Sequence, residues 1–125
     1  MKEKRNAKSN NAEKIARRSI GKRNVCLLKA VCHLNKNQRA TFLRAADEKF
    51  IRCIRECVLN TLNGNVPLER YEKDRLVKYK TTLRRVVAKR GGWKSKRKLL
   101  IQRGGFLPYI IGPILSALLT QIIGG

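Results

Sequence analysis

Asp47-Glu-Lys-Phe-Ile-Arg-Cys-Ile-Arg-Glu-Cys-Val-Leu-Asn-Thr-Leu62 runs directly into Asn63-Gly64-Asn65. Phe50, Ile51, Ile54, Cys57, Val58 and Leu62 recur in it at three- and four-residue spacing, the period of one helix face. Asp47 stands where an N-cap is wanted, since its carboxylate accepts from the orphan amides of a first turn. Gly64 suits the left-handed residue that closes a helix. The spacing predicts an amphipathic helix over residues 48–62. No stretch of the chain alternates with period two for long, so the fold class is all-α.

Working towards the N-terminus, Phe42, Leu43, Ala45 and Ala46 fit a short helix. Val25, Leu27, Leu28, Val31 and Leu34 fit another, with Asn35 or Asn37 as the residue that breaks or caps. Residues 1–23 are Lys, Arg, Asn, Ser and Ala with two Ile, too polar to bury a core, and read as a disordered basic arm. Towards the C-terminus, Pro67 opens a segment. Leu68, Tyr71, Leu76, Tyr79, Leu83, Val86 and Val87 then suggest one long helix to about Lys89. Glu69, Glu72 and Asp74 lie in its first turns, and Arg84, Arg85, Lys89 and Arg90 near its end, as the helix dipole favours. Residues 24–90 therefore form a small three- to four-helix unit with a core of marginal size. Gly91-Gly92 breaks the long helix. Residues 91–105 read as a basic, glycine-containing linker in which Ser95 caps a short helix ending at Gly104-Gly105. Residues 106–125 read as an apolar, amphipathic C-terminal helix.

The chain has 125 residues, with 30 Lys and Arg against 8 Asp and Glu, a net charge of +22. Residues 1–24 carry net +7, residues 25–66 net +4 and residues 67–103 net +11, and no charged residue follows Arg103. Such a balance describes partners, not fold. Nucleic acid is the first partner it implies, through phosphate neutralisation and counterion release; an anionic membrane leaflet is the second. The N-terminus has no apolar signal region. With four cysteines this points to a reducing compartment, nucleus or cytoplasm, and not to secretion.

The strongest nucleic-acid signal is Lys89-Arg90-Gly-Gly-Trp93-Lys94-Ser-Lys96-Arg97-Lys98. With Arg84, Arg85 and Arg103 it supplies the candidate phosphate-binding residues. Trp93 could stack on a base or dock on the bundle. No recognition-helix motif is evident, so phosphate binding without base readout is expected, to DNA or to RNA.

In the tail, Leu107, Ile110, Ile111, Ile114, Leu115, Leu118, Leu119 and Ile122 form one stripe, with Phe106 at its head. Gly112, Pro113, Ser116, Ala117, Thr120 and Gln121 form a small, weakly polar face. The stripe suits docking to a partner groove such as a capsid protein, or to an anionic membrane interface. Two alternatives stay open: a terminal helix that closes the bundle core, and a membrane-spanning anchor at the lower limit of length.

Arg103-Gly104-Gly105-Phe106-Leu107-Pro108, followed by Ile110, Ile111, Pro113 and Ile114, resembles the end of the adenoviral core protein X (mu) precursor. Similar small basic proteins occur in Polinton/Maverick elements and adintoviruses. The resemblance covers about 25 residues and implies a DNA-condensing segment, a virion and host-nucleus location, and protease processing after a double glycine. Gly104-Gly105 and Gly124-Gly125 are the two candidate pairs. The family's protease pattern places Met, Ile or Leu two residues ahead of the pair. Ile122 meets it, and Gln102 does not.

Cys26, Cys32, His33, Cys53 and Cys57 could be assembled as a zinc set, but no CxxC pair exists. These cysteines fall on or near apolar stripes and read as core thiols; no metal or cofactor is expected. His33 is the sole histidine, and the carboxylates sit mostly beside Lys or Arg. No convergent acid/base set supports an enzyme. The expected function is a structural, sequence-independent DNA-binding and condensing protein of an adenovirus-like virus or mobile element. Its tail would dock to capsid or membrane. A membrane-active or tail-anchored basic protein, and a cellular RNA-binding protein, are the alternatives.

Overall fold

The computed structural model describes residues 21 and 23–124, and side chains up to Ala117. Apart from Gly21 and Arg23, the basic arm lies outside these residues. The protein is all-α, with no strand among the described residues.

Helix α1 covers residues 23–32 and buries Leu28 and Val31 completely. Helix α2 (Lys36–Arg44) starts at Asn35, whose side-chain oxygen accepts from the Gln38 amide at 2.9 Å. The Gln38 side chain returns the bond to the Asn35 amide at 3.0 Å, a reciprocal capping box. Helix α3 (Glu48–Leu62) follows as expected. The Asp47 carboxylate accepts from the Phe50 amide at 2.9 Å and from Arg23 of α1 at 2.9 Å. At the far end Gly64 takes φ +76°. The amides of Gly64 and Asn65 bond the carbonyls of Thr61 and Asn60 at 3.2 and 2.9 Å, so the last turn closes as a Schellman motif. Phe50, Ile51, Cys53, Ile54, Cys57 and Val58 are buried, and α3 is the helix against which α5, α6 and α7 pack.

The long helix expected after Pro67 is two helices, α4 (Arg70–Val77) and α5 (Lys80–Val87). Neither Gly nor Pro causes the break. Tyr79 adopts φ −100°, ψ 5°, and its amide bonds the Leu76 carbonyl three residues back at 3.0 Å. Its ring packs 6.2 Å from Phe106 and 6.0 Å from Tyr109. The kink lets the halves serve different partners: α4 lies against α7, and α5 against α3 and α6.

The expected linker is also regular. Helix α6 (Trp93–Arg103) starts at Gly92, not at Ser95, and a short 3-10 turn (Gly104–Phe106) leads into α7 (Leu107–Gly124). Leu99 and Leu100 turn inward and join the core, so α6 is anchored by burial despite its charge. Pro108 sits in the first turn of α7, where a missing amide costs nothing. Pro113 lies within the helix, which continues past it.

The largest correction concerns the tail. Phe106, Leu107, Ile110 and Ile111 are 0% exposed and Ile114 is 6% exposed. Together with Leu28, Val31, Leu43, Phe50, Ile54, Val86 and Leu100 they make one core, which does not stop at residue 90. Leu115 packs partly buried against it. As far as Leu115 the apolar stripe, expected first as a docking surface, is packed inside the chain, as the core-closing alternative had it. Helices α1 to α5 thus share a single core with α6 and the start of the tail. The side chains of Leu118, Leu119 and Ile122 lie outside the described residues. No helix among the described residues is long and apolar enough to cross a membrane.

Candidate nucleic-acid interface

The basic run lies at the junction of α5 and α6. Helix α5 ends at Ala88 in extended geometry, and the chain turns through residues 88–92 into α6. Gly91 takes φ +81°, and a Cβ there would come within 3.1 Å of the Ser95 hydroxyl. Only glycine fits this corner without strain.

The turn leaves the C-terminal carbonyls of α5 without helical donors. Two cations from neighbouring helices supply them. The Arg55 guanidinium of α3 donates to the Val87 carbonyl at 2.9 Å, and the Lys96 ammonium of α6 donates to the Arg85 carbonyl at 2.5 Å. Positive charge is also favoured there by the helix dipole. Lys96 is only 7% exposed. Burial, then the nearby Arg55 and Arg85 charges, lowers its pKa from 10.5. Arg97 is likewise committed. It lies 5.0 Å over the Trp93 ring and reaches the Arg44 and Ala46 carbonyls at the end of α2, both at 3.4 Å. Trp93 is half-buried against the core, with the Lys94 ammonium 5.9 Å from its ring. Lys96 and Arg97, predicted as phosphate ligands, thus hold helices together. A run of cations does not reveal which of them also point at a helix end.

The other seven nominated cations, Arg84, Arg85, Lys89, Arg90, Lys94, Lys98 and Arg103, are exposed. They do not form one patch. Arg85, Arg90 and Lys98, with Lys96 behind them, line an open cleft of about 580 Å³. Ala88, Gly91, Ser95, Leu99 and Gln102 complete its wall, and no carboxylate lines it. On the other side of the turn a cleft of about 570 Å³ also has Lys96 in its wall. There Glu48 and Glu56 offset part of the charge of Arg52, Arg55 and Lys89, with Arg52 paired to Glu48 at 2.8 Å and Arg55 to Glu56 at 3.6 Å. The first of these two clefts has no carboxylate in its wall, whereas the second has two. Arg84, Lys94 and Arg103 line neither.

Gly104 and Gly105, one of the two processing candidates, sit in the 3-10 turn. Gly104 is buried, and a Cβ on it would come 3.3 Å from Leu107 Cδ1 and 3.5 Å from Arg39 Nε. Gly105 lies against the Tyr79 hydroxyl. The pair is packed, not offered as the extended segment a protease would bind. Gly124 is in α7, and Gly125 lies outside the described residues.

Of the cysteines, Cys26 is exposed, Cys32 half-buried, and Cys53 and Cys57 buried. Burial raises the Cys32 pKa to about 11. Cys53 and Cys57, one turn apart on α3, share a hydrogen bond; that bond and then burial raise the Cys57 pKa well above 9.0. Among the described residues no three His, Cys, Asp or Glu side chains are gathered to hold a metal ion.

Sequence reasoning missed Arg55 as a helix-capping cation. It also missed a cluster where α4 meets α7: Tyr71, Arg75, Tyr79 and Tyr109. The Arg75 guanidinium lies 5.7 Å from the Tyr71 ring and 5.5 Å from the Tyr109 ring. The Tyr71-to-Arg75 spacing of four was visible in the sequence; the arrival of Tyr109 from the tail was not. The chain matches no known protein family, no curated protein and no solved structure.

Proposed function

We propose that this chain is a nucleic-acid-binding protein that neutralises phosphates without reading bases. The observation that carries the reading is the cleft lined by Arg85, Arg90, Lys96 and Lys98 with no carboxylate in its wall. Arginine forks and lysine ammonium groups recognise phosphate oxygens through charge-assisted hydrogen bonds. Ser95 and Gln102 add neutral donors to the same wall. The wider charge of +22 supports binding along a polyanion, not to a single small anion. The resemblance of residues 103–114 to the adenoviral core precursor adds a packaging context, a protein that condenses a genome. Phe106, Leu107, Ile110, Ile111 and Ile114 are buried in the core, so they give no support to a tethering role.

Binding to unrelated duplexes at a series of salt concentrations tests the reading. Affinities should agree between sequences, and log K should fall linearly with log salt. Replacing Arg90 and Lys98 by Ala together should reduce the magnitude of that slope by about 2. A shallow slope, or strong preference for one sequence, defeats the proposal.

A further inference from the structure

A further cleft differs in chemistry from the basic one. It lies between α4 and α7, has a volume of about 250 Å³, and is lined by Tyr71, Glu72, Arg75, Tyr109, Pro113 and Ser116 among others. This is below the roughly 300–1,000 Å³ of pockets that enclose a ligand, so a flat ring on a ledge fits it better than an engulfed molecule. Tyr71 is 60% exposed, although tyrosine carries apolar surface that folding normally hides. Arg75 bridges the Tyr71 and Tyr109 rings within cation–π range, and Tyr109 continues to Tyr79 at 6.0 Å.

A Tyr and an Arg four residues apart stabilise a helix locally. That accounts for the Tyr71–Arg75 contact alone. It does not account for Tyr109, which comes from a different helix and completes an alternation of ring, guanidinium and ring, with Tyr71 left largely open. Glu72 also lines this cleft, its Oε1 accepting from the Glu69 amide at 2.8 Å. A carboxylate in the wall disfavours a phosphate. It is compatible with an uncharged base, whose amino groups it can accept from.

We infer that Tyr71, Arg75 and Tyr109 form a stacking ledge for an unpaired nucleobase, so that the protein binds single strands through bases as well as phosphates. This rests on the nucleic-acid reading above and adds the class of strand. Flat π surfaces stack on tyrosine and on guanidinium regardless of base identity, so the ledge adds affinity without sequence readout. Paired bases are stacked within the duplex and cannot use it.

The test measures affinity of the full chain for three probes of equal length: oligo-dT, a duplex, and an abasic single strand that keeps the phosphates. Tyr71→Ala should weaken oligo-dT binding on the order of tenfold, and leave duplex and abasic binding within about twofold, since no phosphate contact is touched. Tyr71→Phe, which keeps the ring, should bind oligo-dT like the parent chain. Equal losses on all three probes, or no loss on oligo-dT, overturns the ledge while the phosphate-binding reading stands. If the parent chain binds none of the three, the nucleic-acid reading falls, and the ledge with it. Thermal unfolding of each variant confirms that the exposed substitution has left the fold intact.

Discussion

Helices α6 and α7 follow one another and could hardly differ more in composition. The first, WKSKRKLLIQR, has five cations in 11 residues; the second, LPYIIGPILSALLTQIIG, has none in 18. Yet both bury a stripe in the same core: Leu99 and Leu100 from α6, and Leu107, Ile110 and Ile111 from α7. The contrast teaches that burial follows position on the helix, not average polarity. A lysine with a long apolar stem and a carbonyl to bond can sit inward, and an uncharged helix need not look for an outside partner.

Cutting into the core where the 3-10 turn enters α7 should have the largest effect. Phe106→Ala removes a fully buried ring and is expected to cost about 3–5 kcal/mol, a large share of the roughly 5–15 kcal/mol that holds a domain folded. Urea unfolding followed by circular dichroism reads it out. A cost under about 1 kcal/mol, the range of surface changes, would show that the tail is separable from the core after all.

On the α6 side, Lys96→Met keeps the stem and removes the bond to the Arg85 carbonyl, for an expected loss of about 1–3 kcal/mol. Two residues on, Lys98→Ala should change stability by no more than about 0.5 kcal/mol, while reducing the salt slope of nucleic-acid binding by about 1. The same measurements on both variants separate a cation that holds the fold from one that faces the ligand. If Lys98→Ala were the more destabilising of the two, the division between inward and outward cations would be wrong.

The smallest effect is a pH dependence at Asp47, the N-cap of α3. Its pKa is held below 3.8, first by the Phe50 amide and second by Arg23. Its stabilisation is complete above 3.8 and is lost as pH falls through the lower folded value. The melting temperature of the parent chain should therefore drop further in acid than that of Asp47→Asn. Parallel acid limbs for the two proteins would remove the assigned role.

Local order was legible in the sequence where a local signal carried it. Asn35, Asp47 and Gly64 mark helix ends through their own side chains or their lack of one, and all three act there. The kink at Tyr79 was not legible, because its cause is a ring from 27 residues away, Phe106. The fate of the tail was legible as a set of faces but not as a destination. Which surface an apolar stripe covers depends on how much apolar area the other helices leave open, and only the assembled core states that. For the same reason the basic run could not tell Lys96 and Arg97, which bond helix-end carbonyls, from the exposed Arg90 and Lys98.

The thiol pair on α3 has a consequence for watching this molecule breathe. Alkylating reagents react with thiolate, so a thiol that is both buried and held protonated is inert while the helices stay closed. Cys26, exposed on α1, meets reagent at once, whereas Cys57, 3% exposed and bonded to Cys53, must wait for the core to part. When reclosing outpaces modification, the ratio of the two labelling rates gives the free energy of opening. The protein thus carries its own clock and its own reference, and polyanion added to the same experiment would register as a slowing of the Cys57 hand alone.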